Sequence, residues 1–146
     1  QEQPQQQQQQ QSMFGTSLGL NPGTTGPPGY RVTFNTSNIC LSGTSAPVFF
    51  ELVGQNGSSG TVLVRSLQGQ FSKGSSDTFV YPRLPYLGPL QQIRVGTTGE
   101  GMSATWHLRN VQVSALGTGE AWLFECNDWI DKKCNWQRVL NAMRQG

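Results

Sequence analysis

Short segments of alternating apolar and polar residues, separated by glycine-rich turns, fill the chain from Tyr30 onward. In YRVTFNTS (30–37) every second residue is apolar up to Phe34, and Val111 and Val113 follow the same rule in a later segment. A period of two is typical of a strand with one buried face and one face in water. This pattern predicts β-structure for most of the chain.

Seven segments have this strand-like character: 30–37, 46–54, 61–66, 77–82, 90–95, 104–115 and 119–126. Gly117, Thr118 and Gly119 predict a tight hairpin between the last two. The 18 glycines, 8 prolines and 12% charged residues suit strands and turns better than long salt-bridged helices. Seven or eight short strands at this spacing predict an antiparallel β-sandwich over residues 30–131.

Two flanks depart from the strand pattern. Residues 1–29 begin with a glutamine tract, continue with Ser, Gly, Thr and Pro, and predict a disordered tether. Residues 132–146 predict a short amphipathic helix with Asn135 as its N-cap. Its apolar stripe consists of Trp136, Val139, Leu140 and Met143. The stripe is expected to pack on the sandwich or on a neighbouring domain, and a membrane-surface helix is the alternative.

The chemistry of catalysis is missing from the sequence. His107 is the single histidine, and there is no G-x-S-x-G turn, no phosphate-binding loop and no convincing carboxylate pair. We therefore expect no catalytic residues and no enzyme. A net charge of +2 with scattered basic residues excludes nucleic acid as the expected partner. No apolar run reaches 18 residues, so no membrane-spanning helix is expected.

Three cysteines, Cys40, Cys126 and Cys134, cannot all pair within one chain. The spacing of Cys126 and Cys134 allows a small loop disulfide, while reduced thiols are the favoured interpretation because free cysteine is often simply buried. No zinc-binding pattern is present.

Six pieces of the sequence, in order and spacing, resemble the PLAT domain family, also called the lipoxygenase homology or LH2 domain. They are GTSAPVFFELVG (43–54), NG (56–57), FSKGSSDTF (71–79), LGPLQQIRV (87–95), WHLRNVQV (106–113) and WLFECNDWI (122–130). The resemblance implies an eight-stranded antiparallel β-sandwich. It also implies a non-catalytic module that attaches its parent chain to membrane lipids or to a protein partner, in membrane-associated or ciliary settings among others.

Calcium is the cofactor that the resemblance brings into question. Calcium-binding PLAT domains carry Asp after Gly-Thr in one loop and His-Asp-Asn in a later one, whereas this chain has Ser45 and, around Thr98, Thr-Thr-Gly. Calcium prefers six to eight oxygen ligands including carboxylates. Glu100 with Asn38 and backbone carbonyls would make a weak site, so we expect no calcium, no other cofactor and no metal ligands.

Apolar loop tips form the first candidate surface. Ile39 and Leu41 lie in the first loop, and Met102 lies in the later loop that should be beside it. Insertion of these side chains into a lipid surface is one interpretation. The alternative is that they fold back over the end of the sandwich.

The proline-stiffened loop 81–87 forms the second candidate surface. It would recognise a protein through exposed side chains, namely Arg83, Leu84, Tyr86 and Leu87. The low net charge favours protein over anionic lipid. We therefore expect a module that docks its parent protein onto a protein partner or larger assembly, with calcium-independent membrane binding as the alternative.

Overall fold

Ten strands and one 3₁₀ turn make up the described part of the chain, residues 26–145 of this computed structural model. The strands are β1 (Tyr30–Thr36), β2 (Val48–Gly54), β3 (Gly57–Ser58), β4 (Val62–Leu63), β5 (Ser76–Tyr81), β6 (Leu90–Thr97), β7 (Trp106–Ala115), β8 (Ala121–Ile130), β9 (Gln137–Asn141) and β10 (Met143–Gln145). The 3₁₀ turn spans Lys132–Cys134.

The strands form two antiparallel sheets, which confirms the predicted all-β sandwich. The first sheet has the order β9-β6-β2-β3, and the short β4 also pairs with β2. The second sheet has the order β10-β8-β7-β1-β5. The predicted strand 61–66 is reduced to two residues, Val62 and Leu63, and the following stretch is a loop.

The core lies between the sheets because alternation points every second side chain inward. In β1, Val32 and Phe34 are fully buried, as are Phe50 and Leu52 in β2. The Phe34 ring lies 6.0 Å from the Phe50 ring and 6.2 Å from that of Trp106, centroid to centroid. Aromatic clusters of this kind dominate the packing of small cores.

The helix predicted for residues 132–146 is wrong. Asn135 and Trp136 both have a positive φ (59° and 62°), a backbone conformation that ends the 3₁₀ turn and cannot start an α-helix. The chain then extends as β9 along β6 and as β10 along β8. The unpaired edges of two neighbouring sheets offer more hydrogen bonds than an isolated two-turn helix could keep in water. The sandwich therefore continues past residue 131 to residue 145.

The ends of the sandwich are distinct. The tether predicted for residues 1–29 lies outside the described residues except for 26–29. Gly29 donates its backbone N–H to the Leu84 carbonyl (2.8 Å) and accepts from the backbone N–H of Leu116 (3.0 Å). Residue 26 and Gln145 both lie at the end of the sandwich where these bonds form, which we call the terminal end.

Within residues 26–145 no helix is long and apolar enough to cross a membrane.

Candidate interaction site

Three loops meet at the end of the sandwich opposite the terminal end. Loop A (residues 37–47) joins β1 to β2, loop B (64–75) joins β4 to β5, and loop C (98–105) joins β6 to β7. The chain reverses direction between β1 and β2, between β4 and β5, and between β6 and β7 at the same side of the two sheets. The topology therefore brings these three loops together. We call this side the loop end.

Backbone hydrogen bonds tie loop A to both of its neighbours. Thr44 donates to the Phe71 carbonyl of loop B (2.9 Å), and Ser45 donates to the Ser103 carbonyl of loop C (2.9 Å). The buried Thr44 hydroxyl donates in addition to the Ala104 carbonyl (2.9 Å). The three loops therefore form one braced surface rather than three independent ones.

Loop B is anchored by one aromatic side chain. Phe71 is 2% exposed although it has a positive φ of 59°, and its ring meets the Trp106 ring edge-on at 5.5 Å. The Asp77 carboxylate accepts from the backbone N–H of Phe71 (2.8 Å) and from the Ser75 hydroxyl (2.7 Å). Core packing and a local carboxylate cap thus compensate for the strained backbone conformation.

Large apolar side chains stand out from all three loops. Met102 is fully exposed, Leu41 is 81% exposed, Leu67 is 75% exposed and Ile39 is 43% exposed. The three residues predicted from the sequence, Ile39, Leu41 and Met102, therefore lie on adjacent loops and do not fold back. Leu67 was missed because the preceding residues were assigned to a strand, which hid the loop that presents it.

Basic side chains share the loop end with this apolar group. The exposed ones are Arg65, Lys73, Lys132 and Lys133. Of the acids at this end, the Asp131 side chain accepts from the backbone N–H of Lys133 (3.0 Å) and Asp128 pairs with Arg138 (3.4 Å), while Glu100 is exposed on loop C. Residues far apart in the sequence thus give the loop end a basic rim that net charge alone could not predict.

Loops A and C offer few charged oxygen ligands. The Ser45 hydroxyl donates to the Ser103 carbonyl (3.4 Å), and the Thr98 hydroxyl accepts from the backbone N–H of Glu100 (3.4 Å). Glu100 is the single carboxylate on these two loops. In the part of the chain that the structure describes, no three His, Cys, Asp or Glu side chains cluster as metal ligands would.

The surface predicted for protein docking differs from expectation. Leu87 is completely buried, so its expected exposure is wrong. It belongs to the core, and its backbone N–H donates to the Tyr30 hydroxyl (2.9 Å). Leu84 and Tyr86 are half-buried, and Arg83 alone is exposed. The loop folds across the terminal end, where the buried Leu87 side chain closes the core.

This loop holds the chain's own incoming segment. Leu84 accepts from Gly29, and Gly26 lies against the Tyr86 ring, where an added Cβ would come within 2.7 Å of Cδ2. The Tyr86 hydroxyl donates to the Glu120 carboxylate (2.7 Å), and this bond raises the pKa of Tyr86 to about 12. The loop therefore fixes where the chain joins the sandwich.

The three cysteines and His107 are the chain's candidate nucleophile and base side chains. All three cysteines carry free thiols, and burial raises the pKa of Cys126 to about 11. A thiol with so high a pKa is a poor nucleophile. His107 Nδ1 lies 2.7 Å from the Ser37 hydroxyl, and its ring packs edge-on against Trp129 at 4.8 Å.

A family model for the PLAT/LH2 domain matches residues 30–141. Human lipoxygenase homology domain-containing protein 1 is 35% identical over 105 residues, which is 70% of this chain and 5% of that protein. The human polycystin family receptor for egg jelly is 34% identical over 114 residues, or 77% of this chain and 5% of that protein. The chain thus spans about 5% of the length of these curated relatives.

Solved structures share the fold. Coral 8R-lipoxygenase, described as activated by calcium through a C2-like domain, matches with a TM-score of 0.68 and 20% identity over 78% of this chain and 17% of its own. The alpha toxin of Clostridium absonum matches with a TM-score of 0.59 and 14% identity over 90% of this chain and 33% of its own. At such identities the likeness concerns the architecture of the sandwich.

Proposed function

The chain belongs to the PLAT/LH2 domain family, whose members are non-catalytic modules of protein or lipid interaction, and from that premise we propose a specific role. This domain attaches its parent chain to the surface of a phospholipid membrane. It does so through the loop end, with Leu41, Leu67 and Met102 entering the interfacial layer and Ile39 at their side. Attachment does not require calcium.

One observation carries the proposal: the most exposed apolar side chains stand on three mutually braced loops, opposite the end where residues 26 and 145 lie. An isolated exposed leucine needs no explanation, but a group of exposed apolar side chains at one end of the sandwich is typical of an interaction surface. Each side chain that leaves water contributes roughly 1.5–3 kcal/mol. Three or four such contributions suffice for reversible peripheral binding.

Charge supports lipid as the partner. Each Lys or Arg near an anionic membrane surface contributes about 1 kcal/mol, and four share the loop end with the apolar tips. Cationic side chains around an apolar tip match the order of a membrane, in which acyl chains lie below anionic headgroups. The fixed conformation of the loops adds to affinity because little ordering entropy is lost on binding.

The sequence favoured docking on a protein partner through the loop 81–87. The contacts of that loop support protein docking less than the loop end supports lipid binding. Leu87 is buried, and Leu84 and Tyr86 hold residues 26–29. Of the four residues chosen for protein docking, Arg83 alone is exposed. The experiment below separates these two partners.

Co-sedimentation with vesicles tests the proposal. We expect the wild-type protein to bind phosphatidylcholine–phosphatidylserine vesicles equally in calcium and in chelator. The double variant Leu41→Asp with Met102→Asp should bind about 100-fold more weakly, because about 3 kcal/mol of apolar burial is lost and charge is added.

Val139→Asp is the matched control. Val139 is 56% exposed on β9, on the side of the sandwich, and its change should leave vesicle binding intact. Binding of the wild-type protein only with calcium would contradict calcium independence. No vesicle binding in either condition would overturn the proposal and leave a protein as the partner of the loop end.

A further inference from the structure

Two open grooves lie at the loop end, on either side of Ser45 and Ala46. The first, about 560 Å³, separates loop A from loop B. The second, about 600 Å³, runs between Ser45 and Arg65. Neither is lined by a carboxylate, and each is lined by one cationic side chain, Lys73 in the first and Arg65 in the second.

The first groove is lined by polar and apolar groups in similar measure. Its polar side chains are Thr44, Ser45, Ser66, Gln68, Gln70, Ser72, Lys73 and Ser103. Hydroxyl and amide groups around one ammonium group complement a compact anion with several acceptor oxygens. A volume of this size also accommodates a small polar headgroup.

Hydrogen bonds within loop B and core packing hold one wall of this groove. The Gln70 side chain accepts from the backbone N–H of Leu67 (2.7 Å), and the backbone N–H of Gln70 donates to the Leu67 carbonyl (3.1 Å). The buried Phe71 then pins the same loop to the core, with its N–H donated to Asp77. A preformed wall reduces the ordering cost of binding.

The groove and the apolar tips share loop B. Leu67 lines the groove and is 75% exposed, so an acyl chain beside Leu67 would place its own headgroup at the mouth of the groove. Loops A and C, which carry Leu41 and Met102, form the neighbouring walls through Ser45 and Ser103. This places a polar groove at the depth where headgroups lie, if the tips enter the membrane as proposed above.

We infer that the first groove binds a lipid headgroup that ends in a phosphate monoester, with Lys73 as the counter-charge. The hydrogen-bond donors would be the side chains of Ser66, Ser103, Gln68 and Gln70, since the Ser72 hydroxyl already donates to the Gly69 carbonyl. A terminal phosphate presents three acceptor oxygens and a charge of about −1.5 to −2. A phosphodiester, which carries two substituents, has fewer free oxygens and a smaller charge. The inference rests on the proposed membrane attachment and names the lipid class that this attachment selects.

The test compares phosphatidylcholine vesicles that contain phosphatidic acid with vesicles that contain the same mole fraction of phosphatidylserine. We expect the wild-type protein to prefer phosphatidic acid about 10-fold, the size of one charge-assisted hydrogen bond. Lys73→Gln should remove this preference and weaken binding to phosphatidylserine only about fivefold, the contribution of one rim cation, whereas Lys132→Gln should show that fivefold loss and keep the preference. Lys73→Arg should retain it in part.

Lys132→Gln is the matched control, because Lys132 is exposed at the same end but does not line the groove. Equal losses of the preference for phosphatidic acid in Lys73→Gln and Lys132→Gln would overturn the inference, since attraction would then be diffuse. Urea unfolding of each variant verifies that the fold is intact.

The two proposals fail in different ways. Vesicle binding by the wild-type protein without preference for phosphatidic acid overturns the headgroup site and leaves membrane attachment standing. If no vesicle is bound but calorimetry detects soluble glycerol 3-phosphate in a Lys73-dependent manner, the ligand is a free phosphate ester, and both the attachment and its lipid source are wrong.

Discussion

Arg94 organises the outer face of the first sheet. Its guanidinium donates to Glu51 (3.2 Å), to the Gln137 side chain (2.9 Å) and to the Thr61 hydroxyl (2.5 Å). The Ser58 hydroxyl donates to the other Glu51 oxygen (2.5 Å). The Ser58 bond, followed by the contact with Arg94, lowers the pKa of Glu51 below its ordinary 4.5. One arginine thus connects three strands and a turn.

Glu51→Gln should make stability less dependent on pH. A carboxyl with a lowered folded-state pKa stabilises the fold above its unfolded pKa, and that contribution is lost as the pH falls through the folded value. We expect the variant to be less stable by about 1 kcal/mol at neutral pH and equal to wild type in strong acid. Urea unfolding from neutral pH to below 4.5 measures this.

Glu100→Gln is the control for that measurement, since Glu100 is exposed on loop C. It should leave the wild-type pH dependence unchanged. Parallel stability curves for wild type and Glu51→Gln would contradict the assigned role of the Arg94 network.

At the scale of elements, the last two strands close the sandwich. β9 completes the first sheet and β10 completes the second, so one short stretch covers an edge of each. In a helix, Val139 and Leu140 would both have belonged to the buried stripe. In the strand they face opposite ways, with Leu140 9% exposed in the core and Val139 56% exposed.

Two alanine substitutions distinguish the strand from the helix. Leu140→Ala should cost about 2 kcal/mol of unfolding free energy because it removes buried volume from the core. Val139→Ala should change stability by less than about 0.5 kcal/mol, as exposed positions do. Urea denaturation midpoints measure both, and similar losses at the two sites would contradict the strand register.

At the scale of the whole molecule, the sandwich has two ends with different surfaces. Residues 26–29 and Gln145 lie at the terminal end, where the 81–87 loop fixes the incoming chain. The loop end carries the apolar tips and the basic rim about one strand length away. Attachment by that end would hold the terminal end away from the membrane.

A fluorescent label can report this orientation. Cys40 is exposed between Ile39 and Leu41, while Cys126 and Cys134 are half-buried, so an environment-sensitive thiol label should select Cys40. We expect a blue shift when vesicles are added. In a Cys40→Ser background, a label on Thr118→Cys in the terminal-end hairpin should not shift. A shift at both positions, or at Thr118 alone, would contradict the orientation.

Much of the fold was predictable because it rests on local pattern. Period-two alternation identified β1 and part of β7, and six motifs identified the family over about residues 30–131, where the family model matches residues 30–141. The apolar candidates Ile39, Leu41 and Met102 were also visible from the sequence, since they stand in segments between predicted strands. Leu87 was misassigned because a leucine in a proline-rich loop carries no local sign of which way it points.

The sequence by itself determined the β-sandwich, the family and the lack of acidic ligands at Ser45 and Thr98, because these depend on residue identity and short-range periodicity. Only the tertiary structure decided what depends on distant contacts. It turned a helical stripe at 136–143 into two edge strands, because open sheet edges compete successfully with a short helix. It also gathered Arg65, Lys73, Lys132 and Lys133 at the loop end, since topology alone sets which loops share one end.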